Sequence, residues 1–156
     1  LGIKSMIDYL GKAATKKQKG KQAVKDKKFD DAWRYFNEQK VLYLNHATQS
    51  GSGFDRLSTM VLEASVHVDF ANILRLEGKY ESALSHLSYV YKLNFIAKRP
   101  IATLEKKLQT YFSKVYDKED YLRFRKLLEM LKGMDFVAVR EFVELHYPQL
   151  PKVIED

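Results

Sequence analysis

Four histidines are the only side chains in this sequence with ordinary acid–base chemistry near neutral pH: His46, His67, His86 and His146. None of them stands in an H-E-x-x-H pattern or four residues from another histidine, so the spacing offers no metal pair on one helix face. There is no cysteine. That removes disulfide frameworks, thiolate zinc sites and thiol nucleophiles. No glycine-rich phosphate loop, G-x-S-x-G turn or paired-acid motif is present. No metal and no cofactor is therefore expected. One pair of residues could still do chemistry: Arg140 and His146, in Arg140-Glu-Phe-Val-Glu-Leu-His146.

Charge is the second chemical signal. The formal net charge is +7, and residues 1–28 alone hold nine lysines against Asp8 and Asp26. The remainder is balanced. Such a cationic stretch suits an acidic protein, nucleic acid or an anionic membrane surface, or simply a solvated face. Lys12–Lys28 contains no arginine, and no aromatic side chain is interleaved before Phe29. Base stacking and bidentate readout are missing there, so any nucleic-acid binding through it should be non-specific and salt-sensitive. No run of about 18 apolar residues exists, so no membrane span is expected.

These residues must be held by helices. Ile3, Met6, Ile7 and Leu10 follow i, i+3, i+4, i+7 spacing and predict a short helix over 3–10, ended by Gly11. Residues 12–28 read as helical but polar on most sides, with Gly20 weakening the middle by about 1 kcal/mol. A helix follows over 30–47, capped by Asp30. Gln49-Ser50-Gly51-Ser52-Gly53 is the clearest break. Asp55 caps a long helix over 56–77, stopped by Gly78 in a left-handed conformation. Further helices are expected over 81–97, 100–116 with Pro100 in the first turn, 120–132 and 135–146. In the helix over 81–97, Ala83, Leu84, Leu87, Val90, Tyr91 and Leu93 should face inward. No strand alternation is visible. The fold class is all-α: seven or eight helices in antiparallel hairpins. The domain division is a basic N-terminal helical arm over 1–28, which includes a first repeat helix, and a neutral hairpin body over 29–156, together one domain.

Residues 64–94 carry Ala71, Leu74, then Gly78-Lys79-Tyr80-Glu81-Ser82-Ala83, then Leu87, Val90 and Leu93. This pattern resembles a tetratricopeptide repeat, a helix–turn–helix unit of about 34 residues. Small Ala71 and Ala83 allow close approach of the two helices, Gly78 makes the turn, and Tyr80 plugs the hairpin. His67 stands where a large aromatic is usual, and Phe95 where the closing proline belongs. A second unit with similar features spans 13–46, through Gly20, Ala23, Phe29, Ala32, Phe36 and Leu42. A third, degenerate one spans about 105–134. The spacing between units is irregular.

The resemblance implies a short right-handed array whose first helices line a concave groove for a peptide or partner helix. Carried over position by position, that groove would show Lys17 and Lys21 from the first unit. Ser65, Val68, Asn72 and Arg75 would come from the second, and Lys106 and Gln109 from the third. Such a wall is cationic and amide-rich, suited to acidic side chains. Asp69 stands where a carboxylate clamp would want an asparagine, which argues against capture of a C-terminal carboxylate. The reading is a non-catalytic adaptor, scaffold or chaperone-like binder for an acidic or amphipathic partner. Nucleic-acid binding through the lysine arm is the alternative. A third reading follows from Arg140 and His146, whose R-x5-H form resembles the motif of HEPN-type ribonucleases. Tyr89 and Tyr116 are candidate surface anchors, and the end helices could dock a second copy of the chain. A chain that starts at Leu1 reads as a fragment or a processed product, with a cytoplasmic location favoured.

Overall fold

Asp8 caps the first described helix: its Oδ1 accepts from the Gly11 amide at 2.9 Å, giving one donor of the first helical turn a partner. Helix α1 runs from there over Tyr9–Lys25. The computed structural model describes residues 7–49 and 51–151. Gly11 therefore does not end a helix, contrary to the sequence expectation. It lies inside the first turn, where a Cβ would collide with the Asp8 carboxylate that makes the cap. Ile3 and Met6 of the expected 3–10 helix lie outside the described residues.

The chain divides into two compact units, Leu1–Val66 and His67–Asp156. In the first, α1 pairs with α2 (Phe29–Thr48), and α3 (Arg56–Ala64) follows. The contact stripe of α1 is narrow and made of small residues, Ala13, Gly20 and Ala23, all buried. Phe36 of α2, 1% exposed, lies against it. Burying such a ring contributes about 2–3 kcal/mol, which offsets the weak propensity of a lysine-rich helix. Asp30 is not the cap of α2. Lys28 holds that position without a side-chain bond, and Asp30 and Asp31 fall in the first turn, where they complement the helix dipole. The Gln49 break is a built turn. Gln49 Oε1 accepts from the Ile7 amide at 3.1 Å, and Ser52 Oγ donates to the Ala47 carbonyl at 2.7 Å. Asp55 caps α3 as expected, accepting from Ser58 N at 2.7 Å.

The long helix expected over 56–77 is broken at Ser65-Val66. Ser65 Oγ donates to the Leu62 carbonyl at 2.6 Å, and Val66 N bonds only as far back as Glu63 O. That tightened turn ends α3, and α4 (His67–Leu76) starts afresh in the second unit. Counting α3 and α4 separately, the described residues form eight α-helices and no strand.

The turns after α1 and after α4 have the same geometry. Lys27 N bonds Val24 O at 3.0 Å, and Lys28 N bonds Ala23 O at 2.8 Å. Gly78 N bonds Arg75 O at 3.0 Å, and Lys79 N bonds Leu74 O at 2.8 Å. The turn residue is left-handed in both, at φ 57° for Lys27 and 77° for Gly78. Glycine adopts that conformation without a Cβ penalty; lysine does so against a cost of about 1–2 kcal/mol. Three positions into each following helix, Ala32 and Ala83 are wholly buried.

In the second unit α5 (Tyr80–Ile96) is the axis, packed on α4, on α6 (Ala102–Phe112), on α7 (Tyr121–Met130) and on α8 (Phe136–Glu141). Its six expected inward residues are all buried. Ser85, Ser88, Tyr89 and Lys92 are buried as well, because α5 has neighbours on several sides. Tyr89 is thus not a surface anchor. Helix α6 is shorter than expected: Ile101 is its N-cap, and after Phe112 the chain closes in i→i+3 bonds from Lys114 and Val115. Beyond α8 the helix widens to π geometry over Phe142–His146. There the Val143 carbonyl accepts from Tyr116 Oη at 2.6 Å, which takes Tyr116 out of the role of exposed anchor.

Phe112 is the hub of the C-terminal core, with Tyr116, Tyr121, Phe124 and Tyr147 rings at 4.8–5.9 Å. Burial pushes the Tyr116, Tyr121 and Tyr147 phenols up to about 12, helped by Glu81, Glu105 and Asp120 respectively. Burial and a 2.6 Å hydrogen bond to Glu129 raise Tyr91 further. A raised folded-state value means the stabilisation is complete below about pH 10 and is lost as pH climbs through 12. Alkaline titration should show these four of the ten tyrosines ionising only with unfolding, between pH 10 and 12. Absorbance at 295 nm recorded with circular dichroism checks this. Full ten-tyrosine amplitude before any loss of helix would refute it.

Candidate functional site

Helix α4 brings Asn72 and Arg75 onto one side by i, i+3 spacing, and α6 brings Thr103, Lys106, Lys107 and Thr110 onto the side that meets them. With buried Tyr111 they line an open cleft of about 510 Å³. Helix α5 packs against both α4 and α6. Asn72 Oδ1 accepts from Arg75 Nη2 at 2.8 Å, which fixes one edge of the guanidinium and leaves its other donors to the cleft. Three cations line the space and no carboxylate does. Glu105, beside Lys106 in sequence, is turned to an ion pair with Arg125. Glu77 lies 3.8 Å from Lys79. Asp69, half-buried on α4, is not a lining residue.

Three of the eight sequence-derived groove residues, Asn72, Arg75 and Lys106, are therefore brought together here. Val68 is half-buried on α4, and Gln109 is exposed on α6 without lining the cleft. Ser65 sits at the α3–α4 break with its hydroxyl bound to Leu62. Lys17 and Lys21 belong to α1 in the first unit. Lys107 was missed by the repeat pattern, although it neighbours Lys106. Its signal is the i, i+3, i+4 set Thr103, Lys106, Lys107, which puts all three on one helix face.

In the first unit five of the six lysines of α1, all but Lys12, fall into two sets. Lys16 pairs with Glu38 of α2 at 2.6 Å, and Lys16, Lys19 and Arg34 sit 5.8, 6.0 and 4.6 Å from the Tyr35 ring centroid. Lys16, by hydrogen bond and charge, with Arg34 and Lys19, holds the Glu38 carboxyl below its ordinary range. An aromatic ring is thus interleaved with the lysines after all, supplied by α2 across the hairpin. Lys17, Lys21 and Lys25 form the other set, and none has an ion pair among the described residues.

The histidines make one close arrangement. His67 and His86 place their Nδ1 atoms 2.9 Å apart with rings stacked, amid Phe70, Tyr89 and Phe136. One ring must donate and the other accept. Among the described residues no three His, Cys, Asp or Glu side chains gather to hold a metal ion. Arg140 and His146 are both exposed, and Arg140 stacks its guanidinium 5.8 Å from the Phe136 ring. No hydrogen bond joins Arg140 to His146. Among the described residues no helix is long and apolar enough to cross a membrane. No family model, curated protein or solved structure matches the chain.

Proposed function

We propose that this chain is a non-catalytic protein-interaction module of tetratricopeptide-like design that holds an acidic segment of a partner in the α4–α6 cleft. The observation that carries this reading is the cleft lining: Arg75, Lys106 and Lys107 with Asn72, Thr103 and Thr110, and no acid. Its volume lies in the range that takes a small ligand or a few side chains. Arg75, already oriented by Asn72, presents a planar fork to a carboxylate, and the two lysines add charge without fixed geometry. The matching turns at Lys27 and Gly78 support a repeated hairpin as the scaffold. The separation of exposed Arg140 and His146 into a cation–ring contact and an unbonded imidazole gives the ribonuclease reading no comparable support.

The test is fluorescence anisotropy with a labelled glutamate-rich dodecapeptide at low salt. The protein should bind it in the micromolar range and ignore a lysine-rich peptide of equal length. Reversing Arg75, Lys106 and Lys107 to glutamate should weaken binding by about 30-fold or more, since each reversal replaces an attraction with a repulsion of similar size. Unchanged affinity would remove the cleft from the binding role.

A further inference from the structure

Helix α1 carries six lysines and no acidic residue over its length. Packing on α2 uses the Ala13, Gly20, Ala23 stripe and leaves the two flanks of the helix chemically unequal. The flank toward Tyr35 is neutralised in part by Glu38. The opposite flank holds Lys17, Lys21 and Lys25 at i, i+4, i+8, where they stand in one row about 6 Å apart along the axis. Lys21 and Lys25 are exposed and Lys17 is half-buried. Asp26, next to Lys25 in the sequence, accepts from Gln22 Nε2 at 3.1 Å.

We propose that this row is a second binding surface, independent of the α4–α6 cleft, that tracks the phosphate backbone of a nucleic acid. Evenly spaced ammonium groups without counter-charges match a ligand whose negative charge repeats at a fixed short interval. Beside the row stand Ala14 and Gln18, with half-buried Val24 three residues from Lys21 and exposed Leu10 nearer the start of the helix; Gln22, bonded to Asp26, lies on the Tyr35 flank. A surface helix that enters a membrane needs an apolar face, and that of α1 is small and turned to α2. Arginine and aromatic residues are absent from the row, so it reads charge and not base identity. Lys17 and Lys21, assigned by the repeat pattern to a peptide groove, belong to this surface.

The experiment measures anisotropy of labelled 24-mers, one single-stranded and one duplex, across a salt series. Wild-type protein should bind at micromolar to tens of micromolar levels at low salt. The slope of log affinity against log salt should be about −2 for the single strand and nearer −3 for the duplex, as three phosphate contacts require. The stronger of the two arms identifies the strand form the row prefers. The triple variant Lys17→Gln, Lys21→Gln, Lys25→Gln keeps good helix formers, with its fold checked by circular dichroism. It should lose at least tenfold in affinity and most of the salt slope. The cleft reversals at Arg75, Lys106 and Lys107 should leave nucleic-acid binding unchanged. Wild-type affinity in the α1 variant, or loss only in the cleft variant, would overturn the proposal. So would equal or tighter binding through Lys17, Lys21 and Lys25 to poly-glutamate or to phosphatidylserine vesicles at the same salt. Those results would make the row a surface for acidic protein or for membrane.

Discussion

Alanine at position 20 should destabilise the first unit, although alanine is the better helix former. A Cβ on Gly20 would lie 2.5, 2.7 and 2.9 Å from three atoms of the Phe36 ring. Real Cβ atoms do not approach that closely, and Phe36 is a rigid ring buried to 1% exposure. The helix must back away from α2 or the ring must leave its well. Overpacking of this kind costs about 1–3 kcal/mol or more, against a propensity gain of about 1 kcal/mol. The steric term wins, and Gly20→Leu should unfold the hairpin outright. The single tryptophan, Trp33, lies on α2 and reports on this unit alone. Urea titration followed by its fluorescence should show an earlier midpoint for Gly20→Ala. Adding Phe36→Leu, which removes Cε1 and Cζ, the two closest of the clashing ring atoms, should recover part of the loss, with a coupling of about 1 kcal/mol or more. A later midpoint for Gly20→Ala alone would sink the argument.

Gly20 also shows what a sequence can and cannot disclose. Within residues 12–28 a glycine registers only as a weak point in a helix. The residue that requires it, Phe36, is on the next helix, and only the hairpin makes them neighbours. Tyr35 is the same case: no aromatic interrupts the lysines along the chain, yet one lies between them in space. Periodicity did reveal the inward face of α5, because burial there follows the apolar pattern. It could not reveal that Lys92 and Tyr89 are buried too, since that depends on how many helices surround α5. The turn at Gly78 was legible because glycine advertises a left-handed residue. Lys27 adopts the same conformation without advertising it. Boundaries went astray where a side chain intervened locally, as with the Asp8 cap at Gly11 and the Ser65 hydroxyl at the α3–α4 break.

The candidate site divides along the same line. Asn72 and Arg75 lie on one face of α4 by spacing alone, and their grouping follows from the helix period. Their meeting with Lys106 depends on α4 and α6 both packing on α5, which spacing along the chain does not state. Lys17 and Lys21 were drawn into the same groove by repeat position, yet they sit in a different compact unit with a different charge environment. Repeat position identifies a helix face; it does not say what stands opposite.

Lys92→Ala should be a severely damaging substitution in the second unit, and Lys92→Met a far milder one. Lys92 is 1% exposed, the most buried charged residue among those described. Its Nζ donates to the Leu128 carbonyl at 2.8 Å and to the Leu131 carbonyl. Those groups end α7, where Leu128 O also accepts from the Leu131 amide at 3.3 Å and a cation is favoured by the dipole. Burial lowers the lysine pKa, with Glu129 opposing that shift. The unfolded chain therefore binds this proton more readily, and its contribution to stability rises with pH toward the ordinary lysine value. Two terms compete. Removing the ammonium orphans the Leu131 carbonyl and leaves Leu128 O with the Leu131 amide alone, at about 1–3 kcal/mol, but also relieves the desolvation of a charge, several kcal/mol in the other direction. These nearly cancel, so methionine, which retains the apolar stem, should change stability by about 1 kcal/mol or less. Alanine loses the stem as well and leaves a cavity against Leu128 and its neighbours. Its cost should be about 3 kcal/mol or more, as for other long-to-alanine core truncations. Helix signal during thermal unfolding measures both variants. A gap of about 2 kcal/mol between them would show that Lys92 acts mainly as packing. Equal, large losses would show instead that the ammonium is the part α7 cannot do without.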